Sequence, residues 1–461
     1  MARRKPSRMF RRLLILVALG GLVFVGVSAF RVGPPPSVSI EAGMPGIGKR
    51  TPFDISVSEP ERGLSGIRIE VVQGERVEML AEREYDSLEP WEFWGQRVTQ
   101  EDFSIEVGSE TMKGLEEGDA SVRVIAKRAS SWVRWPEPVV EVKTLPVKLR
   151  PPTLQVISTH TYVDQGGSET VVYRVGESSV KDGVRAGDWW FPGYPLPGGD
   201  DRDRFALFAV PYDMSDVSEV KLVAIDDVEN VARASFIDRF KKRPFKTDTI
   251  TISDSFMERV VPAIMDQSPH IEDRGSLLEN YLAVNGELRR ENAATLIELT
   301  TQSVPEFLWR ERFLQMRNAQ VMSDFADRRS YIYNGQVVDQ QDHLGYDLAS
   351  TRLAEIQAAN DGIVVMARYF GIYGNAVFID HGYGLFTLYG HLSSIQVEEG
   401  QSVVRGDVIG RSGVTGLAGG DHLHYTTMLH GLPVHPAEWW DGHWIHDRLK
   451  LKLGDALPYQ D

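Results

Sequence analysis

The sequence predicts a mainly β, multidomain protein: an N-terminal transmembrane helix, two immunoglobulin-like (Ig-like) β-sandwiches, a helical connector and a C-terminal antiparallel β domain. Three observations carry this expectation. An uncharged apolar run, Leu13–Phe30, stands near the start of the chain. Short segments of alternating apolar and polar residues then recur over two regions of sandwich size. Apolar spacing turns helical near Ser253, and period-two strands with turn glycines return near Ser330. With 461 residues the chain is too long for one core, so several domains are expected.

The first element, residues 1–36, is a basic tail and an anchor. The run LLILVALGGLVFVGVSAF holds no charge. At about 1.5 Å per residue it reaches about 27 Å, close to the thickness of a hydrocarbon core. Arg3, Arg4, Lys5, Arg8, Arg11 and Arg12 precede it. Positive residues stay on the cytoplasmic side, so the expected topology is single-pass in the inner (cytoplasmic) membrane. The N-terminus is then cytoplasmic, and the body lies in the periplasm or outside the cell. A cleaved signal peptide is the competing reading, with Val27-Ser28-Ala29 as a small-residue cleavage site. The run exceeds the usual apolar region of about 7–15 residues, which favours an uncleaved anchor. Both readings export the body.

The formal net charge is −15, although the first twelve residues alone hold six positive charges. The body is therefore more acidic still, which excludes nucleic acid as an expected partner. No cysteine is present, so disulfides and thiolate metal sites are excluded. Any metal must sit on histidine and carboxylate ligands.

After Pro34-Pro35-Pro36, residues 37–148 show alternating strands such as Phe53–Val57, Ile67–Val71 and Ala120–Val124. Pro146 and Pro151-Pro152 mark a boundary. A second region, 149–247, repeats the pattern, with strands such as Thr170–Val175, Phe205–Val210 and Val220–Ile225. Its closing stretch VKLVAIDDVENVARASF resembles the penultimate strand, turn and last strand of an Ig-like module. Both regions read either as a spacer or wall-binding arm or as plain spacing, and plain spacing is the expectation. Trp189-Trp190-Phe191 is either an exposed loop or core. Residues 248–329 form the helical connector: Ser253 or Asp254 caps a helix with Phe256, Val260 and Ile264 at helical spacing, and Ser276–Thr300 reads as a longer helix. The connector either packs on the C-terminal domain or covers its cleft. Residues 330–448 form that domain, with turns on Gly374, Gly382, Gly384, Gly406 and Gly410, and 449–461 are a tail.

Nine of the eleven histidines lie between His343 and His446. Three motifs stand out there: His343-Leu-Gly-Tyr-Asp347, Leu388-Tyr389-Gly390-His391, and Asp421-His422-Leu423-His424. In a strand, residues i and i+2 share a face, so His422 and His424 would present two imidazoles to one cleft. Two imidazoles and a carboxylate are a common set for a catalytic Zn²⁺ with an open position. A free imidazole nearby can accept a proton or stabilise an oxyanion. The structural alternative makes His343 and Asp347 a loop hydrogen-bond pair and His422/His424 a solvated strand face. Spacing alone leaves both open.

The order H-x-G-x-D, Y-G-H, H-L-H resembles the lysostaphin-type (LytM-like) zinc metallopeptidases. The intervening text matches too, in Gly374-Asn375 through Asp380-His381-Gly382 to Leu392, and in Gly400-Gln401 through Gly406, Gly410 and Gly413 to Gly416. The resemblance spans His343 to roughly Trp440. It implies a single Zn²⁺ on His343, Asp347 and His424, with His391 and His422 as the catalytic pair that activates water or steadies the tetrahedral intermediate. The implied activity is zinc-dependent endopeptidase cleavage of peptide cross-links in bacterial peptidoglycan. A non-catalytic or autoinhibited envelope regulator, binding peptidoglycan or activating a cell-wall amidase, is the rival; a peptidase acting on envelope proteins keeps the same site. An envelope protein partner fits either. The family pattern is departed from after the H-x-H, where Thr426 and Thr427 follow Tyr425 in place of a frequent acidic residue. That bears on ligand tuning and substrate preference. His381 is expected to be structural. His430, His435, His443 and His446 are expected at the surface or in turns, without a second metal.

Overall fold

The computed structural model describes residues 8–460. Arg3, Arg4 and Lys5 of the basic cluster lie outside the described residues. The chain splits into two compact units, Met1–Pro151 with Ile225–Val231, and Pro152–Ala224 with Ala232–Asp461.

In the first unit, α1 (Arg8–Phe30) is long and apolar enough to cross a membrane, a test that a signal sequence also passes. Most of its apolar side chains are exposed, Leu22 at 71%, while Ser28 is buried. Seven strands follow: β1 (Ser37–Ala42), β2 (Thr51–Ser58), β3 (Leu64–Gln73), β4 (Arg76–Glu84), β5 (Gln100–Val107), β6 (Gly118–Arg128) and β7 (Val139–Val147). They make one sheet in the order β1-β2-β5 and another in the order β4-β3-β6-β7. The alternation in the sequence explains the packing: in β2, Thr51, Phe53, Ile55 and Val57 are buried while their neighbours face out. They close one core with Ile67, Ile69 and Val71 of β3 and Val122 and Val124 of β6. Burying each such side chain contributes about 1.5–3 kcal/mol.

The second sandwich has a similar order, with Tyr194–Pro195 added as an edge strand. Leu154–Val156, Ser168–Val175, Asp203–Ala209 and Tyr194–Pro195 form one sheet; Trp189–Pro192, Ser179–Ala186, Val220–Asp226 and Val231–Ala234 form the other. The stretch VKLVAIDDVENVARASF thus supplies two neighbouring strands, as its resemblance implies. Trp189-Trp190-Phe191 is strand, not loop, and Phe191 is fully buried. The expectation of plain spacing fails for this second sandwich. Its Phe205 and Phe208 share one continuous core with Trp309, Phe313, Tyr389, Tyr425 and Trp439 of the C-terminal region. The ring of Phe205 lies 5.0 Å from that of Tyr383.

The C-terminal region is built on a large sheet ordered Gln320–Ser323, Tyr346–Ala349, Leu423–Leu429, Leu385–Leu392, Asn375–Asp380, Gly362–Tyr369, Ser402–Val403, with Leu432–Val434 beside Leu423–Leu429. The sheet begins at Gln320, before Ser330. A second sheet joins Thr247–Thr251, Asp327–Tyr333 and Gln336–His343. Its first pairing is parallel, so the connector contributes a strand as well as helices.

Those helices start where the capping residues stand. Ser253 accepts a hydrogen bond from the Phe256 amide and opens α2 (Asp254–Gln267). Ser276 accepts from the Glu279 amide and opens a longer helix, running as Leu277–Leu282, a π turn Ala283–Leu288, and Arg289–Thr300. Met257, Val260 and Ile264 of α2 pack with Tyr281, Tyr331 and Ile372. The connector therefore packs on the C-terminal region.

Candidate active site

Strand register assembles the site. His343 ends the strand Gln336–His343, and a Leu344-Gly345 turn leads into Tyr346–Ala349. There Asp347 sits directly across from His424, and His424 lies across from Gly390, next to His391. Gly345 of the H-x-G-x-D motif is required by space. A Cβ there would stand 2.7 Å from His424 Cε1 and 2.7 Å from Thr426 Oγ1. His391 has φ 63°, a left-handed conformation uncommon for a residue with a side chain. The register between its strand and Asn375–Asp380 slips at Asn375/Val377, and that irregularity re-aims the end of the strand.

Three atoms converge: His343 Nε2, His424 Nδ1 and Asp347 Oδ1. His343 Nε2 is 2.9 Å from Asp347 Oδ1 and 3.1 Å from His424 Nδ1, and His424 Nδ1 is 3.0 Å from Asp347 Oδ1. Their protonation follows from their outer contacts. His343 Nδ1 faces the Asp324 carbonyl at 3.0 Å and must donate to it, which leaves Nε2 with its lone pair. Thr426 spends its hydroxyl proton on the Leu344 carbonyl at 2.9 Å. Its oxygen then accepts from His424 Nε2–H at 3.0 Å, which leaves His424 Nδ1 as the lone pair. Burial lowers the His424 pKa to about 4, so this ring is neutral at neutral pH. Two imidazole lone pairs and a carboxylate oxygen thus face one another. Such a set binds a cation, and nitrogen and oxygen donors without thiolate suit Zn²⁺. Among the described residues, His343, Asp347 and His424 are the group that can hold a metal, and His422 is not part of it.

Burial alone would raise the Asp347 pKa, but His343, His422 and His424 outweigh it and hold the carboxyl well below the usual range. The second carboxylate oxygen is occupied as well. Arg329 donates from Nη2 to Asp347 Oδ2 at 2.8 Å, with the two side chains 15% and 13% exposed. Sequence reasoning missed Arg329, Asp324 and the orienting role of Thr426; only the departure at Thr426 gave a signal.

His391 and His422 stand beside this group, their ring centroids 4.8 Å apart. His391 donates from Nδ1 to the Thr415 carbonyl at 2.8 Å, which frees Nε2. His422 donates from Nδ1 to the Gly420 carbonyl at 2.8 Å, and its Nε2 lies 3.5 Å from Asp347 Oδ1. Burial, with His422 and His424 nearby, pushes the His391 pKa well down. All five residues line one cavity of about 370 Å³, together with Arg329. The connector walls it: Ile250, Ile252, Phe256, Tyr281 and Arg289 line the same space.

The other histidines stay apart. His381 is fully buried, donates from Nδ1 to the Asp361 carbonyl at 2.6 Å and contacts Thr387 Oγ1 at 2.8 Å. Its pKa is lowered to about 4 by burial, a structural role as expected. His430 sits in a turn with φ 47°. His435 departs from the expectation of a surface position: it is buried, against the rings of Phe325 and Tyr346 at 5.6 and 5.7 Å. His443 and His446 face different carboxylates, Asp441 and Asp447.

Residues 341–436 match the model of peptidase family M23. This region is an M23 peptidase domain. The match holds all five site residues and excludes Arg329. The peptidoglycan DD-endopeptidase ShyA of Vibrio cholerae serotype O1 is 34% identical over 168 residues, covering 36% of this chain and 36% of that protein. The DD-carboxypeptidase/endopeptidase Mpg of Neisseria meningitidis serogroup B is 44% identical over 94 residues, 20% of this chain and 22% of that protein. The chain thus spans about a third or less of the length of these relatives. Among solved structures, the catalytic domain of the antimicrobial peptidase lysostaphin from Staphylococcus simulans is 21% identical, with a TM-score of 0.21 over 31% of this chain and 96% of that one. In this chain the M23 domain's motifs lie on or beside antiparallel strands.

Proposed function

We propose that the protein is a zinc-dependent endopeptidase that hydrolyses peptide cross-links of bacterial peptidoglycan, anchored by α1 in the inner membrane with its body outside the cytoplasm. The observation that carries this reading is the convergence of three lone-pair atoms beside a second imidazole pair in one cavity. His343, Asp347 and His424 would hold the ion. A zinc ion there supplies Lewis acidity, which activates water for attack on a peptide carbonyl. His391 keeps Nε2 free through its bond to Thr415, so it can take the proton of the attacking water. His422 lies on the same side, where its Nε2 can steady charge developing on the carbonyl oxygen or return a proton to the leaving amine. The relatives named as peptidoglycan DD-endopeptidases support the substrate.

A second reading is favoured by one observation: the connector walls the cavity, as an autoinhibited or non-catalytic regulator would require. The full chain, loaded with zinc, is to be incubated with purified peptidoglycan and the fragments read by mass spectrometry. New peptide ends that vanish in an Asp347→Ala variant identify the endopeptidase and the bond. Bound zinc with no release of fragments favours the regulator.

A further inference from the structure

We propose that one end of the first sandwich docks on the membrane interface through four tryptophans, Trp91, Trp94, Trp132 and Trp135, so that the sandwich lies against the lipid. The inference rests on the anchor reading of α1. Large aromatics are seldom left exposed in a group without a partner. Here Trp135 is 75% exposed, Trp94 70%, Trp132 49% and Trp91 41%. They come from two separate loops, EPWEFWGQ and SSWVRWPE, that the fold brings together.

A buried arginine ties those loops. Arg62 is 3% exposed, and its Nη2 donates to the Leu88 carbonyl and to the Ser130 carbonyl, each at 3.0 Å. The second loop is a tight turn: Ser131 and Arg134 exchange hydrogen bonds, N–H to carbonyl at 2.9 Å and N–H to hydroxyl at 3.0 Å. Trp132 and Val133 form its tip. The first loop is closed by the Glu89 amide donating to Glu92 Oε2 at 3.1 Å.

The same end of the sandwich touches α1. The ring of Phe93 lies 5.6 Å from that of Phe24, inside the helix, and the Arg31 guanidinium sits 4.5 Å over Phe93. The Arg134 guanidinium lies 5.7 Å over Phe30, and Arg128 donates to the Gly33 carbonyl in the segment that leaves the helix. Phe24 is six residues before the end of the helix at Phe30, about 9 Å of helix at 1.5 Å per residue. If α1 crosses the membrane, Phe93 therefore stands level with a residue below the helix end. Its loop must enter the headgroup region. Tryptophan favours that boundary because its ring is apolar and its N–H finds polar partners there. Arg31 and Arg134 would meet lipid phosphates. The occupant of this surface is the outer leaflet around the anchor.

The test uses the full chain in vesicles of phosphatidylcholine and phosphatidylglycerol whose acyl chains are brominated, a short-range quencher of indole fluorescence. The ten tryptophans all lie beyond α1, so quenching reports the body rather than the anchor. Quenching is expected for the native chain and falls by about half or more in Trp94→Ser/Trp135→Ser, since the most exposed rings enter the interface. Both rings are outside the core, so the circular dichroism melt should not move. A chain retained in the membrane after alkaline carbonate extraction, yet unquenched, overturns the docking and leaves the anchor standing. A chain released by carbonate removes the anchor reading, and the docking falls with it. Equal quenching in native and variant chains also overturns the assignment.

Discussion

Replacing Arg329 with methionine should weaken zinc binding while leaving every donor in place. In the native chain Asp347 presents Oδ1 to His343 and His424, while Oδ2 is held by Arg329 Nη2 at 2.8 Å. Both side chains are largely out of water, at 15% and 13% exposed, so the pair is little screened. The methionine keeps volume and removes the donor. Asp347 then loses the contact that fixes its rotation, and Oδ2 is left buried without a partner. Outer partners of metal ligands are typically worth about 10- to 100-fold in metal affinity. At about 1.4 kcal/mol per tenfold this is about 1.4–2.8 kcal/mol. Competition with a chromophoric chelator, on the full chain, reads the dissociation constant without recourse to turnover. Arg329→Lys should fall between native and methionine, since an ammonium keeps the charge but not the planar fork. An unchanged zinc affinity in the methionine variant, with an unaltered circular dichroism spectrum, would refute the positioning role.

Three further outcomes are expected. Asp347→Ala should abolish both zinc binding and peptidoglycan cleavage, whereas His391→Ala should retain zinc and lose cleavage; loss of zinc in both would mean that His391 is itself a ligand. Gly345→Ala removes no donor but would press on His424 and Thr426, so zinc affinity should drop and chelator titration should show it. Glu438 is buried, accepts from the Ser168 amide at 2.7 Å and from Arg243 at 3.2 Å, and burial pushes its pKa up to about 8. The folded state therefore keeps its proton where the unfolded chain, near 4.5, has lost it. Its contribution to stability is full below pH 4.5 and is lost as pH rises towards 8. Melting temperatures of Glu438→Gln between pH 5 and 8 should decline less steeply than native ones; an identical slope would show that Glu438 does not titrate in that window.

The parts of this structure legible in the sequence are those governed by local chemistry. Ser253 and Ser276 announce helix starts because a hydroxyl at that position satisfies an orphan amide, and both do so here. Period-two alternation announces the strands of β2 and β6 because one face is buried. The three motifs single out five residues that the fold brings to one cavity. Long-range pairing was not. Thr247–Thr251 joins Asp327–Tyr333 in parallel, across the whole helical connector, and no periodicity encodes such a partner. Arg329 is invisible for the same reason: its strand neighbours point to nothing until that sheet brings its side chain to Asp347. The left-handed turn at His391 depends on a register slip between two strands, and a sequence carries no mark of it. His435 looked like a surface residue because histidine is polar; the rings of Phe325 and Tyr346 bury it.

The connector has to be counted as part of the site. The M23 match begins at residue 341 and holds the donors, yet the environment that tunes them lies upstream. Ser323, Arg329 and Tyr331 line the cavity from the strands just before the match, and Phe256, Tyr281 and Arg289 line it from the helices. A piece beginning at Ser330 would cut the strand Asp327–Tyr333, discard Arg329 and remove the partner strand Thr247–Thr251. Activity changes in such a piece would mix the loss of a wall with the loss of a ligand's support. The two can be separated in the full chain. Val261→Asp places a charge in the buried face of α2, whose neighbours Met257, Val260 and Ile264 pack on Tyr281 and Tyr331, and leaves Arg329 and all five site residues untouched. If the wall shuts the cavity, cleavage should rise as α2 loosens, with zinc affinity unchanged. A fall in cleavage at unchanged zinc affinity would instead mean that the helices shape the cavity in which the substrate is held.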